Sequence, residues 1–246
     1  MLNFTEIDRA NPRKRDVLVR LKDYDEVYEV FGRNKSSEQS DRCIQCADPY
    51  CHSKCPLHNF IPAWLKKTSE RDLELAFALS NETSPFPEIL GKICPHDVLC
   101  EGDCTLNEGH GAVAIGAIET HINEKAFKAG MKPRFGNIKT DKKVAIVGSG
   151  PSGISAATFL LRKGINVVMF ERADKAGGLL TYGIPGFKLD KKAVERRIDW
   201  LIEAGMELHL NVEIGKDKSF DELENDFDAV FIGIGATKGQ YAGIEG

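Results

Sequence analysis

The sequence predicts an α+β protein of two domains, an all-α domain at residues 1–138 followed by a Rossmann-like α/β domain at residues 139–246. Its 246 residues exceed the usual size of one domain. All seven cysteines lie between Cys43 and Cys104, whereas 15 of the 23 glycines fall from Gly148 onward. The segment MKPRFGNIKTDKK between these regions is rich in charge and contains Pro and Gly, so we place the boundary there.

Composition indicates a soluble globular protein, with 42% hydrophobic and 28% charged residues and no run of 18 apolar residues. The first residues, MLNFTEIDRANPRKRD, carry no apolar stretch after their basic positions, so we expect no secretory signal and a cytoplasmic location. A formal net charge of −4 gives no electrostatic reason to bind nucleic acid or an anionic membrane.

Three segments of the first domain have helical periodicity. Apolar residues recur every three to four positions over residues 13–32, which predicts one helix that stops at Gly32. Residues 60–80 predict two short helices, the first capped by Asn59. Residues 112–129 predict a third helical segment, capped by Gly130.

The second domain begins with a βαβ unit. KVAIVG and NVVMFE predict two buried strands, and SGISAATFLLRKG between them predicts a helix that ends at Gly164. GSGPSG, residues 148–153, follows the first strand and matches G-x-G-x-x-G, whose glycines let the backbone approach a pyrophosphate at a helix N-terminus. Glu171 ends the second strand, where a carboxylate can bind ribose hydroxyls. The alternative is a glycine-rich turn that binds nothing.

The same fingerprint serves both NAD and FAD, and later segments favour FAD. ERADKAGG follows the second strand with a pair of glycines, and DAVFIGIGA adds a buried strand that ends in small residues. This combination resembles the FAD-binding half of flavoproteins that have two dinucleotide domains.

The cysteines form two groups, C-x2-C-x4-C-x3-C-P from Cys43 to Pro56 and C-x5-C-x3-C from Cys94 to Cys104. Cytosolic thiols stay reduced, so seven cysteines favour metal ligation over disulfides. The first run is close to the ferredoxin pattern, which predicts two [4Fe-4S] clusters. The alternative is a structural zinc site made by the first four cysteines, which leaves three unused.

In ferredoxin-type runs the fourth cysteine ligates the other cluster. Pairing Cys43, Cys46, Cys51 and Cys104 in one cluster leaves Cys55, Cys94 and Cys100 one ligand short in the other. The missing ligand should be an oxygen or nitrogen donor. The nearby histidines that could supply it are His52, His58, His96 and His110.

The chain resembles the N-terminal half of the small (beta) subunit family of NADPH-dependent glutamate synthase, a module shared with dihydropyrimidine dehydrogenase. The matching motifs are CIQCADPYCHSKCPLHNFIP, GKICPHDVLCEGDCTL, VAIGAIE, VAIVGSGPSG and AGGLLTYGIPGFKLDK. The resemblance implies that Glu119 supplies the missing cluster ligand, since the family has a non-cysteine oxygen donor at this place on the helix.

The resemblance also implies the cofactor contacts of the second domain. FAD would be bound by Gly148, Ser149, Gly150, Pro151, Ser152, Gly153, Glu171, Arg172, Gly177, Gly178, Leu179, Lys188 and Ile214. NADPH would reduce FAD, and electrons would pass through the two clusters to an FMN-containing large (alpha) subunit that makes L-glutamate from L-glutamine and 2-oxoglutarate.

Family members continue past this point with a second Rossmann unit for NADPH, whereas this chain ends at GIEG without a second G-x-G-x-x-G. We therefore expect the NADPH site to lie outside the chain and the FAD domain to be incomplete, as in a fragment or one half of a split enzyme. Two alternatives stay open: the electron-input module of another family oxidoreductase (pyrimidine reductase, sulfide-forming or transhydrogenase type), and a non-catalytic iron-sulfur relay scaffold.

Overall fold

The computed structural model describes residues 3–136, 139–236, 238–239, 241 and 243–244. The chain divides into two compact units. The first consists of the residues through Arg134 together with Pro185–Ala193, and the second of Phe135–Ile184 together with the residues from Val194 onward. The boundary predicted at residue 138 lies outside the described residues and stays a prediction.

The first unit is helical, as the sequence predicts. Short 3-10 helices lie at Asn3–Thr5 and His96–Val98. Its α-helices are α1 (Val17–Arg20), α2 (Arg33–Ser40), α3 (Tyr50–Lys54), α4 (Ile61–Ser69), α5 (Leu73–Thr83), α6 (Pro87–Ile93), α7 (Asn107–His110) and α8 (Ile115–Lys128).

The single helix predicted over residues 13–32 is wrong. Only α1 forms there, and the chain then doubles back, so that the backbone N–H of Arg15 donates to the carbonyl of Val27 at 2.9 Å. The Arg15 guanidinium also pairs with Asp23 at 2.6 Å, which closes this turn. Tyr24, one of the residues at this helical spacing, is 85% exposed. Gly32 precedes α2 as its N-cap rather than ending a helix.

The two helices predicted over residues 60–80 are confirmed as α4 and α5, but Asn59 is not the cap. Phe60 occupies the N-cap position of α4, and no side chain caps this end. The Asn59 side chain instead points into the core, where its Oδ1 accepts from Trp64 Nε1 at 3.1 Å. Helix α6 was not predicted from the sequence, because Ser, Pro, Phe and Pro before it indicate a break.

The longest helix of the first unit, α8, packs against α6 at a close crossing. A Cβ on Gly91 of α6 would lie 2.7 Å from Thr120 Oγ1 and 2.9 Å from the carbonyl oxygen of Gly116. The core around this helix contains Trp64, Leu65, Ile118 and other fully buried apolar side chains. The helix predicted at residues 112–129 thus forms, beginning at Ile115 and ending just before Gly130, whose φ is +77°.

The second unit contains a four-stranded parallel sheet in the order β3-β2-β1-β4. Its strands are β1 (Lys143–Val147), β2 (Asn166–Phe170), β3 (Glu207–His209) and β4 (Ala229–Ile232). Its helices are α9 (Pro151–Arg162), α10 (Leu179–Tyr182), α11 (Lys191–Glu203) and α12 (Phe220–Asp226), and the first three residues of α11 count with the first unit.

The predicted βαβ unit is confirmed as β1, α9 and β2, with Gly164 after the helix at a φ of +75°. β1 and β2 pair in register from Lys143 opposite Asn166 to Val147 opposite Phe170. Both strands are buried over most of their length, as expected of parallel strands. Among the described residues, no helix has the length and apolarity needed to cross a membrane.

Candidate functional site

Four of the seven cysteines line one small cavity of the first unit. Cys43 and Cys46 lie in the loop after α2, Cys51 lies in α3, and Cys104 lies in the loop before α7. The rest of the wall is mainly apolar, and the four cysteines are partly buried. Within the described chain, no three His, Cys, Asp or Glu side chains converge closely enough to hold a single metal ion.

Hydrogen bonds to two of these sulfurs come from residues that the sequence did not single out. Gln45 has a φ of +54°, and its Nε2 donates to Cys43 Sγ at 3.3 Å and to the carbonyl of Pro62 at 2.8 Å. Thr105 Oγ1 lies 3.3 Å from Cys46 Sγ. In the sequence, the only feature that distinguishes Gln45 and Thr105 is that each lies next to a cysteine. Polar loop residues beside a cysteine are common, so this feature does not identify them as partners of the sulfurs.

The environment of this cavity opposes thiolate formation in the chain alone. Burial raises the pKa of the Cys43 thiol to about 11, and the neighbouring Cys104 and Cys46 add to the rise. Burial likewise raises the pKa of Cys51 to about 12, with further increases from Cys43 and Cys104. Only the thiolate is a metal ligand, so the thiols of Cys43 and Cys51 become ligands when a positively charged group stabilises their thiolates.

The other three cysteines are grouped electrostatically with Glu119 of α8. Burial raises the pKa of Cys94 to about 12, and Glu119 and Cys55 add to it. Burial also raises the pKa of Cys100, with Glu119 as the next cause. Cys55 therefore lies near Cys94 and Cys100, which is not the arrangement that the zinc alternative requires.

The Glu119 carboxyl group is buried, with 7% of the residue exposed. Burial and the nearby Glu88 raise its pKa to about 8. Asn59 Nδ2 donates to Glu119 Oε1 at 3.1 Å, so Asn59 links this carboxyl group to Trp64 in the core. The sequence suggested a helix cap at Asn59, and only the packing shows that it orients Glu119.

The histidines considered as alternative ligands occupy other environments. His52 Nδ1 lies 3.0 Å from the carbonyl oxygen of Asn59, and its ring lies 5.4 Å from that of His58. The His110 ring packs edge-on against Phe4. The His96 ring lies against the backbone of Gly116, where a Cβ would come within 2.4 Å of it.

In the second unit, the glycine-rich loop joins β1 to α9. Gly148 has a φ of +99°, and a Cβ there would lie 2.5 Å from the carbonyl oxygen of Gly233. A Cβ on Gly153 would lie 2.0 Å from the carbonyl oxygen of Gly148. Gly150 differs, because a Cβ there would have only Gly178 Cα within 4 Å, at 4.0 Å. Gly148 and Gly153 are thus needed by the fold itself, whereas Gly150 leaves space beside the loop.

Pro151 and Ser152 open α9 directly after this loop. Gly150 is the N-cap residue, and no side chain caps the helix. The first backbone N–H groups of a helix have no partner within it, and the helix dipole favours an anion beside them. The loop therefore has the backbone geometry of a phosphate-binding turn.

Glu171 follows β2, and its carboxylate holds the loop. Glu171 Oε2 accepts from the backbone N–H of Ser149 at 2.9 Å and from Ser149 Oγ at 2.5 Å, while Oε1 accepts from the backbone N–H of Ala173 at 2.9 Å. Burial opposes ionisation, but these hydrogen bonds outweigh it and lower the pKa of Glu171, with a smaller contribution from Arg172. A carboxylate has about four acceptor positions, so one remains for a ribose hydroxyl.

The predicted glycine pair lies against the same loop. Gly177 has a φ of +114°, and its backbone N–H lies 3.1 Å from both the carbonyl oxygen and Oγ of Ser149. A Cβ on Gly178 would come 2.8 Å from Gly150 Cα. Leu179 begins α10 and is 67% exposed. The structure thus brings together the loop, Glu171 and the start of α10.

Two further predicted cofactor residues, Lys188 and Ile214, have the following surroundings within their own units. Lys188 belongs to the first unit, where its positive charge offsets part of the rise in the pKa of Cys94. Ile214 packs beside the apolar cluster that contains Phe170 and Leu223, and it forms a β-bridge with Lys218.

Comparisons with known families match both units. The family described as dihydropyrimidine dehydrogenase domain II, 4Fe-4S cluster, matches residues 20–131. The family described as NAD(P)-binding Rossmann-like domain matches residues 146–194.

Curated relatives match almost the whole chain. The chain is 45% identical to the glutamate synthase [NADPH] small chain of Escherichia coli over 98% of its own length and 52% of that protein. It is also 45% identical to the protein of the same name from Azospirillum brasilense, over 97% and 50%. The putative oxidoreductase AegA of E. coli is 41% identical over 96% of this chain and 36% of that protein. The chain spans about half the length of the glutamate synthase small chains it matches.

A search of solved structures gives a weaker match. FprA of Mycobacterium tuberculosis in complex with NADPH is 28% identical over 44% of this chain and 25% of that chain, with a TM-score of 0.39. The family resemblance predicted from the motifs is nevertheless confirmed by the curated relatives.

Proposed function

We propose that this chain, a relative of the glutamate synthase small chains, passes electrons between FAD and two [4Fe-4S] clusters as part of an NADPH-dependent oxidoreductase in the cytoplasm. The observation that carries the proposal is the separation of the cysteines into two groups, four sulfurs around one cavity and three near a buried carboxyl group. The match to a 4Fe-4S family supports it.

We assign Cys43, Cys46, Cys51 and Cys104 to one cluster, and Cys55, Cys94, Cys100 and Glu119 to the other. These residues fit the clusters chemically, because buried thiols become ligands only where a cationic group stabilises their thiolates. Asn59 orients Glu119 through its hydrogen bond to Oε1. The mainly apolar wall of the first cavity limits the access of water.

We assign FAD to the loop of the second unit, from Gly148 to Gly153. Gly150 keeps the side of the loop open for a pyrophosphate, and the N-terminus of α9 supplies free N–H groups. Glu171, beside Arg172, fixes the loop through Ser149 and keeps one acceptor position for ribose. The other side of the loop is closed by Gly177, Gly178 and Leu179. Contacts of FAD with Lys188 and Ile214 stay predictions.

The proposed reaction follows from the chemistry of the cofactors. A bound flavin accepts two electrons as a hydride and releases them one at a time, which suits transfer to iron-sulfur clusters. We propose NADPH as the donor and an FMN-containing large subunit as the acceptor, where L-glutamate is made from L-glutamine and 2-oxoglutarate. The relatives named for this activity are about twice as long as this chain.

The first experiment measures iron, acid-labile sulfide, zinc and flavin in chain purified without oxygen. We expect about eight irons and about eight sulfides per chain, the content of two cubane clusters. One FAD per chain would show that this chain contains enough of the flavin site to bind FAD. Zinc without sulfide would contradict the electron-transfer proposal.

A pair of glycine variants tests the flavin site in the same assay. Gly150→Ala has room for its methyl group, so the variant should fold but lose affinity for FAD at the crowded pyrophosphate. Gly153→Ala should disturb the fold, because its Cβ would overlap the carbonyl oxygen of Gly148. Normal FAD binding by folded Gly150→Ala would argue against this position for the pyrophosphate.

Glu119→Ala tests the division of the cluster ligands. We expect the variant to lose or alter one cluster and to keep the other, so that iron falls from about eight to about four per chain and one EPR signal changes. Glu124→Ala, on the same helix, is the matched control and should keep both clusters. Loss of both clusters with Glu119→Ala, or retention of both unchanged, would refute the assignment.

The similarity to AegA over 96% of this chain favours a second candidate, the electron-input module of a different oxidoreductase. The two candidates differ in the acceptor. Glutamate formation from L-glutamine and 2-oxoglutarate by the full-length protein with a large subunit would support the first. Cluster reduction by NADPH without any glutamate formation would support the second.

A further inference from the structure

A second cavity of the first unit, of about 310 Å³, contains none of the cofactor residues proposed above. Its rim carries three cationic side chains, Arg33, Arg71 and Lys125. Its floor includes the buried Ala76 and Thr68. The volume lies at the lower end of the range for small-molecule sites. No Asp or Glu lines it.

The three cations have no carboxylate partner among the described residues. Arg71 donates only to Asn34 Oδ1, at 3.4 Å. Arg33 and Lys125 make no ion pair there.

The acidic side chains near the cavity in sequence are engaged elsewhere. Glu70 pairs with Lys67 at 2.6 Å, and Glu74 pairs with Arg134 at 3.7 Å. The Asp72 carboxylate caps α5 by accepting from the backbone N–H of Leu75 at 3.1 Å. The positive charge of the rim is therefore not neutralised locally.

A buried histidine adds a polar group to the lining. His121 is 4% exposed, and its Nδ1 donates to the carbonyl oxygen of Phe31 at 2.5 Å. This hydrogen bond fixes the tautomer in which Nε2 has no proton and can accept one. Nε2 has no hydrogen-bond partner within the described chain, and the ring lines the cavity.

The backbone at Arg71 supports the same conclusion. Arg71 follows α4 with a φ of +65°, a left-handed position where helices commonly carry Gly or Asn. An arginine there costs backbone stability relative to glycine. That side chain lies on the rim of the cavity.

We propose that this cavity binds a small organic dicarboxylate. Arginine side chains match carboxylates through paired hydrogen bonds, and two arginines with one lysine can hold two carboxylates. Leu73 and Ala76, the apolar residues of the lining, can contact a short carbon chain between the two carboxylates.

The test is calorimetric titration of the full chain, loaded with its cofactors, with glutarate. We expect one saturable site in wild type at concentrations up to about 10 mM. Arg33→Gln and Lys125→Gln should each weaken the affinity by about tenfold or more, since each removes a charge-assisted contact. Lys128→Gln, exposed on the same helix and outside the cavity, should leave the affinity unchanged.

Three results would overturn the proposal. Wild type could show no binding of glutarate, or the rim variants could bind it as tightly as wild type. Pentanoate or inorganic phosphate could bind as tightly as glutarate, which would exclude selection for two carboxylates on a carbon chain.

Arg71→Gly separates binding from folding. Glycine relieves the left-handed backbone, so this variant should melt at a higher temperature than wild type while binding glutarate more weakly. A merely structural role of Arg71 would not produce this combination. Unchanged glutarate affinity in this variant would count against the proposed site.

Discussion

The two units differ in the side chains that they bury, because the first buries many polar groups and the second buries few. The first unit surrounds its sulfurs with helices and buries Arg42, Asn59, Glu88, Glu119 and Asn123 among apolar side chains. The second unit is built on a parallel sheet whose strands β1 and β2 bury mainly Val, Ala, Ile, Met and Phe. Its few buried polar side chains include Ser149 and Glu171, which satisfy each other.

This difference separates two ways of stabilising a fold. The sheet satisfies its backbone by pairing strands, and its apolar faces supply the hydrophobic free energy. The first unit places four thiols around one cavity, and burial opposes the ionisation of two of them, Cys43 and Cys51. A cationic group that binds their thiolates therefore adds to the stability of this unit. The two units should therefore respond differently to removal of iron.

The chain carries a native reporter in each unit, because it has only two tryptophans. Trp64 is fully buried in the first unit, and Trp200 is 7% exposed in the second. Trp200→Phe leaves a reporter of the first unit alone, and Trp64→Phe leaves a reporter of the second. Fluorescence melting of these two variants measures each unit separately.

The largest expected effect is that of removing iron with a chelator after oxidation. The midpoint of the Trp64 transition should fall by at least about 10 °C, because the thiols lose the cation that organises them. The Trp200 transition should move little. Equal shifts of both transitions would contradict the prediction that only the first unit depends on bound iron for its stability.

Arg42→Met tests the buried polar network of the first unit and should have the next largest effect. The Arg42 guanidinium is fully buried and donates to the carbonyl oxygens of Ile7, His110, Gly111 and Ala112 at 2.6–3.0 Å. Removing these donors should lower the free energy of unfolding of the first unit by about 3 kcal/mol. The measurement is denaturant unfolding followed by Trp64.

Arg134→Met provides the control for this variant. Its guanidinium is 87% exposed and pairs only loosely with Glu74, at 3.7 Å. Its unfolding should match that of wild type. If Arg42→Met is as stable as Arg134→Met, the buried network does not hold the first unit together.

The smallest expected effect is a pH dependence of the iron-free first unit. Burial raises the pKa of Glu119 to about 8, above the ordinary value of 4.5. The folded state then holds a proton that the unfolded state has lost, so stability falls as pH rises through this window and levels off above the folded pKa. The loss between pH 7 and pH 8 should be about 1 kcal/mol.

The pH window is chosen to separate Glu119 from the histidines. Burial lowers the pKa of His96 and of His121 below 6.5, so their contribution to stability is essentially complete by pH 7. Glu119→Gln should remove the extra decrease between pH 7 and pH 8. Glu171 has a lowered pKa, so its contribution is lost only below about pH 4.5, and the Trp200 reporter should be flat in this window. The same slope in Glu119→Gln as in wild type would contradict the assignment.

Local patterns sufficed for the second unit. The strands around Val144 and Val167 are short apolar runs, and Gly148 and Gly164 lie where the chain needs a positive φ. Such features act over a few residues, so the sequence alone determined the βαβ unit and its loop. The same holds for α8, whose apolar spacing and terminal glycine predict its extent.

Periodicity failed where long-range pairing decided the structure. Residues 13–32 have helical spacing, but Arg15 pairs with Val27 and Asp23 instead. The segment Pro185–Ala193 counts with the first unit although it interrupts the second in sequence. Its carbonyl at Phe187 accepts from the backbone N–H of Val27 at 3.0 Å, a contact across 160 residues that no local signal indicates.

The sequence by itself determined the chemistry of this protein: seven thiols at cluster spacing, a dinucleotide loop, and the family that these motifs indicate. Only the tertiary structure decided which groups meet. It placed Cys55 near Cys94 and Cys100, turned Asn59 from a predicted cap into a partner of Glu119, and gathered Arg33, Arg71 and Lys125 around one cavity. The physical reason is that motifs depend on neighbours along the chain, whereas burial, charge and hydrogen bonding depend on neighbours in space.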